Sequence, residues 1–154
     1  MKFKKIEFAR QTNFILALLL IHFVFFGYLS NFYQKNIGDG VLFLYQVLFH
    51  PTSFLSAIIL AAIVFLMAFR EKFFEYGIRN SIWLVPFIIV QSWIWYWFIM
   101  ESFDITIIGA YFLRIESYIT ILVLLGLNVF IAILAAIARI KYDAFISRAK
   151  NIEV

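Results

Sequence analysis

The sequence predicts an all-α fold: a four-helix transmembrane bundle with both termini in the cytoplasm and two short apolar segments on the outer side. Three observations support this prediction. Hydrophobic types make up 65% of the 154 residues and charged types only 14%, unlike the composition of a soluble domain. Four apolar segments approach the roughly 20 residues that a helix needs to cross a bilayer. Lys and Arg collect beside alternate ends of these segments.

The four predicted spans cover about residues 14–33, 52–69, 81–100 and 118–138 of one integral membrane domain, residues 1–154. A backbone in lipid must satisfy its own hydrogen bonds, so we expect these segments to be helices. The first run is longer than the core of a signal peptide and no small-residue cleavage site follows it, so we expect it to be retained. Alanines at four-residue spacing in the second and fourth spans predict that these two pack together.

The distribution of positive charge predicts the orientation of the bundle. The N-terminal arm, the connection between the second and third spans, and the C-terminal arm together hold eleven Lys and Arg, whereas the opposite side holds only Lys35 and Arg114. Because basic residues near span ends stay in the cytoplasm, we expect both termini there. The compartment that fits is a plasma (cytoplasmic or inner) membrane, crossed several times.

Two further apolar segments are too short to span. They cover residues 41–49 and 105–113, and nine residues form only about 13 Å of helix. Two arrangements are open for them: they lie along the outer interface, or they enter the membrane and return on the same side.

Three polar side chains lie near the middle of predicted spans: His22 in the first, Gln91 in the third and Asn128 in the fourth. At similar depth they would form a mid-membrane polar layer. One interpretation is that these groups fasten neighbouring helices, each interaction contributing about 1 kcal/mol. The other is that His22 holds a proton or a ligand, because imidazole as a chemical group titrates near neutral pH and ionisable groups inside membranes are often functional.

Aromatic residues crowd the end of the third span, at Trp93, Trp95, Tyr96 and Trp97. Consecutive residues of a helix face every direction, so the group is not one packing stripe. An interfacial girdle on the outer side is one interpretation, with Trp83 as its inner counterpart. The other is an aromatic groove for a lipid, a quinone or an apolar partner helix.

Charged residues follow the aromatic group: Glu101, Asp104, Arg114 and Glu116 form a candidate outer acidic cluster. Two carboxylates can serve as acid and base or hold a divalent cation. We favour a solvated loop in which Arg114 pairs with one neighbour.

Several classes of chemistry lack the residues they need. The chain has no Cys and two His, so thiolate and zinc sites are excluded. The motifs of phosphate-binding loops, nucleophile elbows and metalloproteases are absent. We therefore expect no enzymatic activity, no catalytic residues, no metal or other cofactor, and no nucleic-acid partner.

The leading functional hypothesis is a non-catalytic integral membrane subunit of a larger complex, such as a secretion, conjugation, respiratory or transport assembly. Its partners would be membrane lipids and other membrane protein subunits. The alternative is a small channel or carrier formed by self-association into a homo-oligomer, with the polar layer lining its path. A lipid- or quinone-binding protein is the third hypothesis.

Overall fold

A computed structural model describes residues 2–28, 42–49 and 54–152 of the chain, and this part is helical with no strand. The helices are α1 (Lys2–Leu20), which continues as a π-helical segment (Ile21–Phe26), α2 (Phe43–Phe49), α3 (Phe54–Arg70), α4 (Phe74–Met100), α5 (Thr106–Phe112) and α6 (Ile115–Ile152). The prediction of an all-α protein is confirmed.

Two helices of the described structure are long and apolar enough to cross a membrane, Phe74–Met100 and Ile115–Ala149. The first and second predicted spans correspond to shorter apolar helices, Gln11–Phe26 and Phe54–Arg70. The 17 residues of α3 extend over about 26 Å, slightly less than the hydrocarbon core of a bilayer. The four-span bundle therefore stays a prediction.

The two short apolar segments of the sequence are separate helices of seven residues each, α2 and α5. A helix of that length reaches about 10 Å and cannot span a bilayer. Helix α5 lies in the connection between α4 and α6. Residues 29–41 and 50–53, which include parts of the first two predicted spans, lie outside the described residues.

Helix α6 is the packing centre of the fold, because it lies against both α3 and α4. Helices α3 and α6 pack together as predicted, and Ala68, Ala132 and Ala135 are buried in one cluster between them. Of the alanines at four-residue spacing, this cluster contains only Ala132. A second cluster joins α1 and its π-helical continuation to α3, α4 and α6 through fully buried apolar side chains. These include Ile21, Phe25, Leu60, Leu84, Ile88 and Leu124.

Candidate functional site

Two hydrogen bonds, one helical turn apart, join α1 and its π-helical continuation to α4. The Gln91 side-chain amide donates to the carbonyl oxygen of Leu18 (3.2 Å), and the Trp95 indole N–H donates to His22 Nδ1 (3.2 Å). The partner numbers rise by four on both sides, so the two helices run parallel. Since Nδ1 accepts this hydrogen bond, the proton of the His22 ring lies on Nε2 in this arrangement.

His22 lies inside the π-helical segment, in which each turn holds more residues than an α-helical turn. Such segments are rare and often mark functional positions. Here the segment has a structural consequence: the consecutive residues Phe25 and Phe26 are both fully buried. Their rings meet edge to face at 5.0 Å, and the His22 ring lies 5.4 Å from Trp95. The widened turn thus aims His22 at α4 and both Phe rings at the core.

Asn128 belongs to a different contact from His22 and Gln91. Its fully buried amide donates to the carbonyl oxygen of Ser81 at 3.2 Å and so joins α6 to α4. Ser81 precedes Gln91 by ten residues of α4, which is about 15 Å along the helix. The structure therefore brings two of the three predicted polar residues to one interface and separates the third. Each of the three bonds to a neighbouring helix, as a fastening role requires.

The aromatic residues at the end of α4 face three different elements. Trp93 meets the Tyr111 ring of α5 at 5.5 Å, Trp95 meets His22, and Trp97 meets Phe103 at 4.5 Å and donates to the carbonyl oxygen of Asp104 at 2.9 Å. Tyr96 is half-buried. A groove of about 440 Å³ at this end includes Trp97 but not the other three predicted residues.

The predicted acidic cluster lies at the surface beside α5. Glu101 ends α4 in the left-handed conformation, with φ of 50°. Asp104 Oδ1 accepts hydrogen bonds from the Thr106 hydroxyl (2.7 Å) and backbone N–H (2.9 Å), which lower the pKa of this carboxyl. Arg114 is exposed and Glu116 half-buried. Within the described residues, no group of three or more His or acidic side chains is placed to hold a metal ion.

A buried carboxylate that the sequence reasoning missed lies at the opposite end of the bundle. Glu71, in the connection between α3 and α4, is only 8% exposed. Its Oε1 accepts hydrogen bonds from the side-chain amides of Asn13 (3.3 Å) and Asn80 (3.5 Å), so it joins α1 to α4. The sequence did contain a signal for this site: Asn13 and Asn80 each directly precede one of the predicted spans that begin at residues 14 and 81.

Comparison with known proteins identifies no relative of this chain. Neither a protein-family model nor a curated protein or solved structure matches the chain.

Proposed function

We propose that this protein is a non-catalytic integral membrane subunit of a larger membrane complex, such as a secretion, conjugation, respiratory or transport assembly. It crosses a plasma (cytoplasmic or inner) membrane four times with both termini in the cytoplasm. The observation that carries this proposal is the uncovered apolar surface of α6 beyond the membrane.

Helix α6 is longer than the membrane requires. Its 38 residues extend over about 57 Å, almost twice the thickness of the hydrocarbon core. Every described side chain from Ile140 to Ala149 is exposed, and Phe145 is 71% exposed. Arg139 precedes this stretch and Lys141 and Asp143 lie within it, so it belongs in water rather than in lipid. Exposed apolar side chains on such a projecting helix are typical of a protein interface.

Contacts at one end of the fold support the proposed orientation. Arg139 of α6 donates to the carbonyl oxygen of Phe69 in the last turn of α3 (3.4 Å), and Glu71 accepts from Asn13 of α1 and Asn80 of α4. The basic-flanked ends of all four long segments therefore meet, as the retention of positive charge on one side of a membrane requires.

Exposed apolar side chains on the two shorter helices support four spans rather than two. Leu19 and Phe23 on the first segment and Ile58 and Leu66 on α3 face away from the bundle. A helix that is apolar on both its packed and its outward face is stable in lipid and not in water.

The rival hypothesis of a self-associating channel or carrier has less support. A water-filled path needs polar groups that face it, whereas His22, Gln91 and Asn128 each bond to a neighbouring helix of the same chain.

Gentle isolation tests the proposal. The tagged protein is extracted from its native membrane in mild detergent, and co-purifying proteins are identified and quantified by mass spectrometry. We expect other membrane proteins in fixed proportion, and a loss of several-fold in their recovery with Phe145→Ser. Phe54→Ser is the matched control, because Phe54 is 76% exposed at the other end of the bundle. Recovery of a bare monomer under these conditions would overturn the proposal.

A further inference from the structure

A groove of about 470 Å³ opens between α1 and α4. It lies at the end of the bundle where the basic residues collect. Its lining comes from Gln11, Phe14 and Ile15 of α1 and from Arg79, Asn80, Trp83 and Phe87 of α4.

The groove is polar at one end and apolar at the other. Because α1 and α4 run parallel, rising residue numbers on both helices lead in the same direction, from the basic end toward the apolar interior. The lower-numbered lining residues on each helix are polar: Gln11 on α1, Arg79 and Asn80 on α4. The higher-numbered residues on both helices are apolar or aromatic, and from Arg79 to Phe87 the groove extends about 12 Å. This order matches a lipid head group followed by its acyl chains.

The wall of the groove is built from named contacts. The Phe14 and Phe87 rings meet edge to face at 5.6 Å and close the apolar part. Trp83 is 59% exposed and has the amphipathic ring that prefers the membrane interface. A ligand in this part would lie against aromatic carbon from both helices.

The charge of the groove selects the head group. Arg79 is exposed, and its guanidinium is 4.9 Å from the centroid of the Tyr76 ring. Among the residues whose side chains the structure describes, the groove lining contains no carboxylate, and the nearby Glu71 is buried and accepts a hydrogen bond from Asn80. An arginine fork with amide donors beside it is suited to phosphate oxygens. Basic pockets between helices on the cytoplasmic side bind anionic head groups in this way.

We propose that this groove is a binding site for one anionic phospholipid of the cytoplasmic leaflet. The phosphate pairs with Arg79, the amides of Gln11 and Asn80 donate to its free oxygens, and the acyl chains lie along Phe14 and Phe87. This site goes beyond the proposed subunit role, because it distinguishes one lipid class from the bulk lipid around the bundle.

Quenching of Trp83 fluorescence by brominated lipid tests the proposal. The full chain is placed in phosphatidylcholine nanodiscs, and acyl-brominated phosphatidylglycerol or acyl-brominated phosphatidylcholine is titrated in. The Trp83 signal is the difference between the unaltered chain and Trp83→Phe. We expect about a fivefold preference for the anionic lipid, because one basic residue at the surface contributes about 1 kcal/mol.

Charge variants assign that preference to the groove. Arg79→Gln is expected to abolish the preference, Arg79→Lys to retain part of it, and Arg148→Gln, which removes an exposed arginine of α6, to leave it unchanged. Equal quenching of Trp83 by the two lipids in the unaltered chain would overturn the proposal, as would a preference that survives in Arg79→Gln. Absence of quenching by either lipid would overturn it as well.

Discussion

Asn128 of α6 donates a hydrogen bond to the backbone carbonyl oxygen of Ser81 in α4, at 3.2 Å and out of reach of solvent. The other amide atom of Asn128, Oδ1, is buried without a hydrogen-bond partner. One bond therefore fastens the two longest helices, and one polar atom opposes its burial. This pairing predicts how substitutions at position 128 differ.

Asn128→Ala is expected to lower the free energy of unfolding by about 1 to 2 kcal/mol, because it removes the interhelical bond and leaves a small cavity. Asn128→Leu is expected to cost less, since it fills the space and removes the unsatisfied oxygen. Denaturant titration in mixed micelles measures both, with the exposed Ser147→Ala as control. Equal stability of Asn128→Ala and the unaltered chain would contradict this prediction.

The His22 contact predicts a specific tautomer. Because Nδ1 accepts the Trp95 indole N–H, the ring proton belongs on Nε2. Nitrogen-15 NMR of His22 is expected to show one protonated and one unprotonated ring nitrogen, with Nδ1 as the unprotonated one. Trp95→Phe keeps the ring contact but removes the donor, so it should redistribute the tautomers. A spectrum that is identical in the two chains would show that the bond does not form.

Asp104 predicts a local dependence on pH. Its two hydrogen bonds from Thr106 lower the pKa of the carboxyl from its ordinary value of 3.8. The folded-state pKa lies below the unfolded one, so these bonds stabilise the start of α5 above the unfolded pKa. That stabilisation is lost as the pH falls through the folded pKa.

Carbon-13 NMR of the Asp104 carboxyl measures this shift directly. Thr106→Val removes the hydroxyl donor and is expected to raise the pKa of Asp104 toward 3.8, whereas Thr106→Ser should keep it low. A titration of Asp104 that does not move between these two variants would exclude the hydroxyl bond as the cause.

The absence of Cys makes topology directly measurable with single cysteines. Ser102→Cys, in the connection after α4, is expected to react with a membrane-impermeant maleimide on intact cells. Ser147→Cys, in the last turns of α6, should react only after permeabilisation. Both serines are exposed, so accessibility to the reagent compares the sides of the membrane. Labelling of both residues from the same side would refute the four-span orientation.

The sequence predicted helices well because their signal is local. The apolar segments at 81–100 and 118–138 lie within α4 and α6, and the short segments at 41–49 and 105–113 contain α2 and α5. The bounds of an apolar segment are not those of its helix: α6 continues to Ile152, since charged residues after Ala138 end an apolar run without ending a helix. The π-helical turn at His22 had no sequence signal that we could identify.

The candidate sites also combine features that the sequence predicts with contacts that only helix packing decides. We placed Asn128 in one polar layer with His22 and Gln91 because each lies near the middle of its predicted span. Which side chains actually meet depends on how far one helix is shifted along its axis relative to the next. Likewise, Asn13 and Asn80, which donate to Glu71, lie 58 and nine residues away from it in the chain and on different helices. No local sequence pattern shows that these side chains will meet.

By itself, the sequence determined the helical class, the apolar character of the chain and the position of its basic residues beside particular ends of the apolar segments. These follow from composition and from the order of residues along each segment. Only the tertiary structure decided that Gln91 and Trp95 bond to α1 and its π-helical continuation, and that Asn128 bonds to Ser81. It likewise decided that Arg79 and Phe14 line one groove. Such pairings depend on the direction, rotation and axial shift of packed helices, which the balance of many weak contacts sets together.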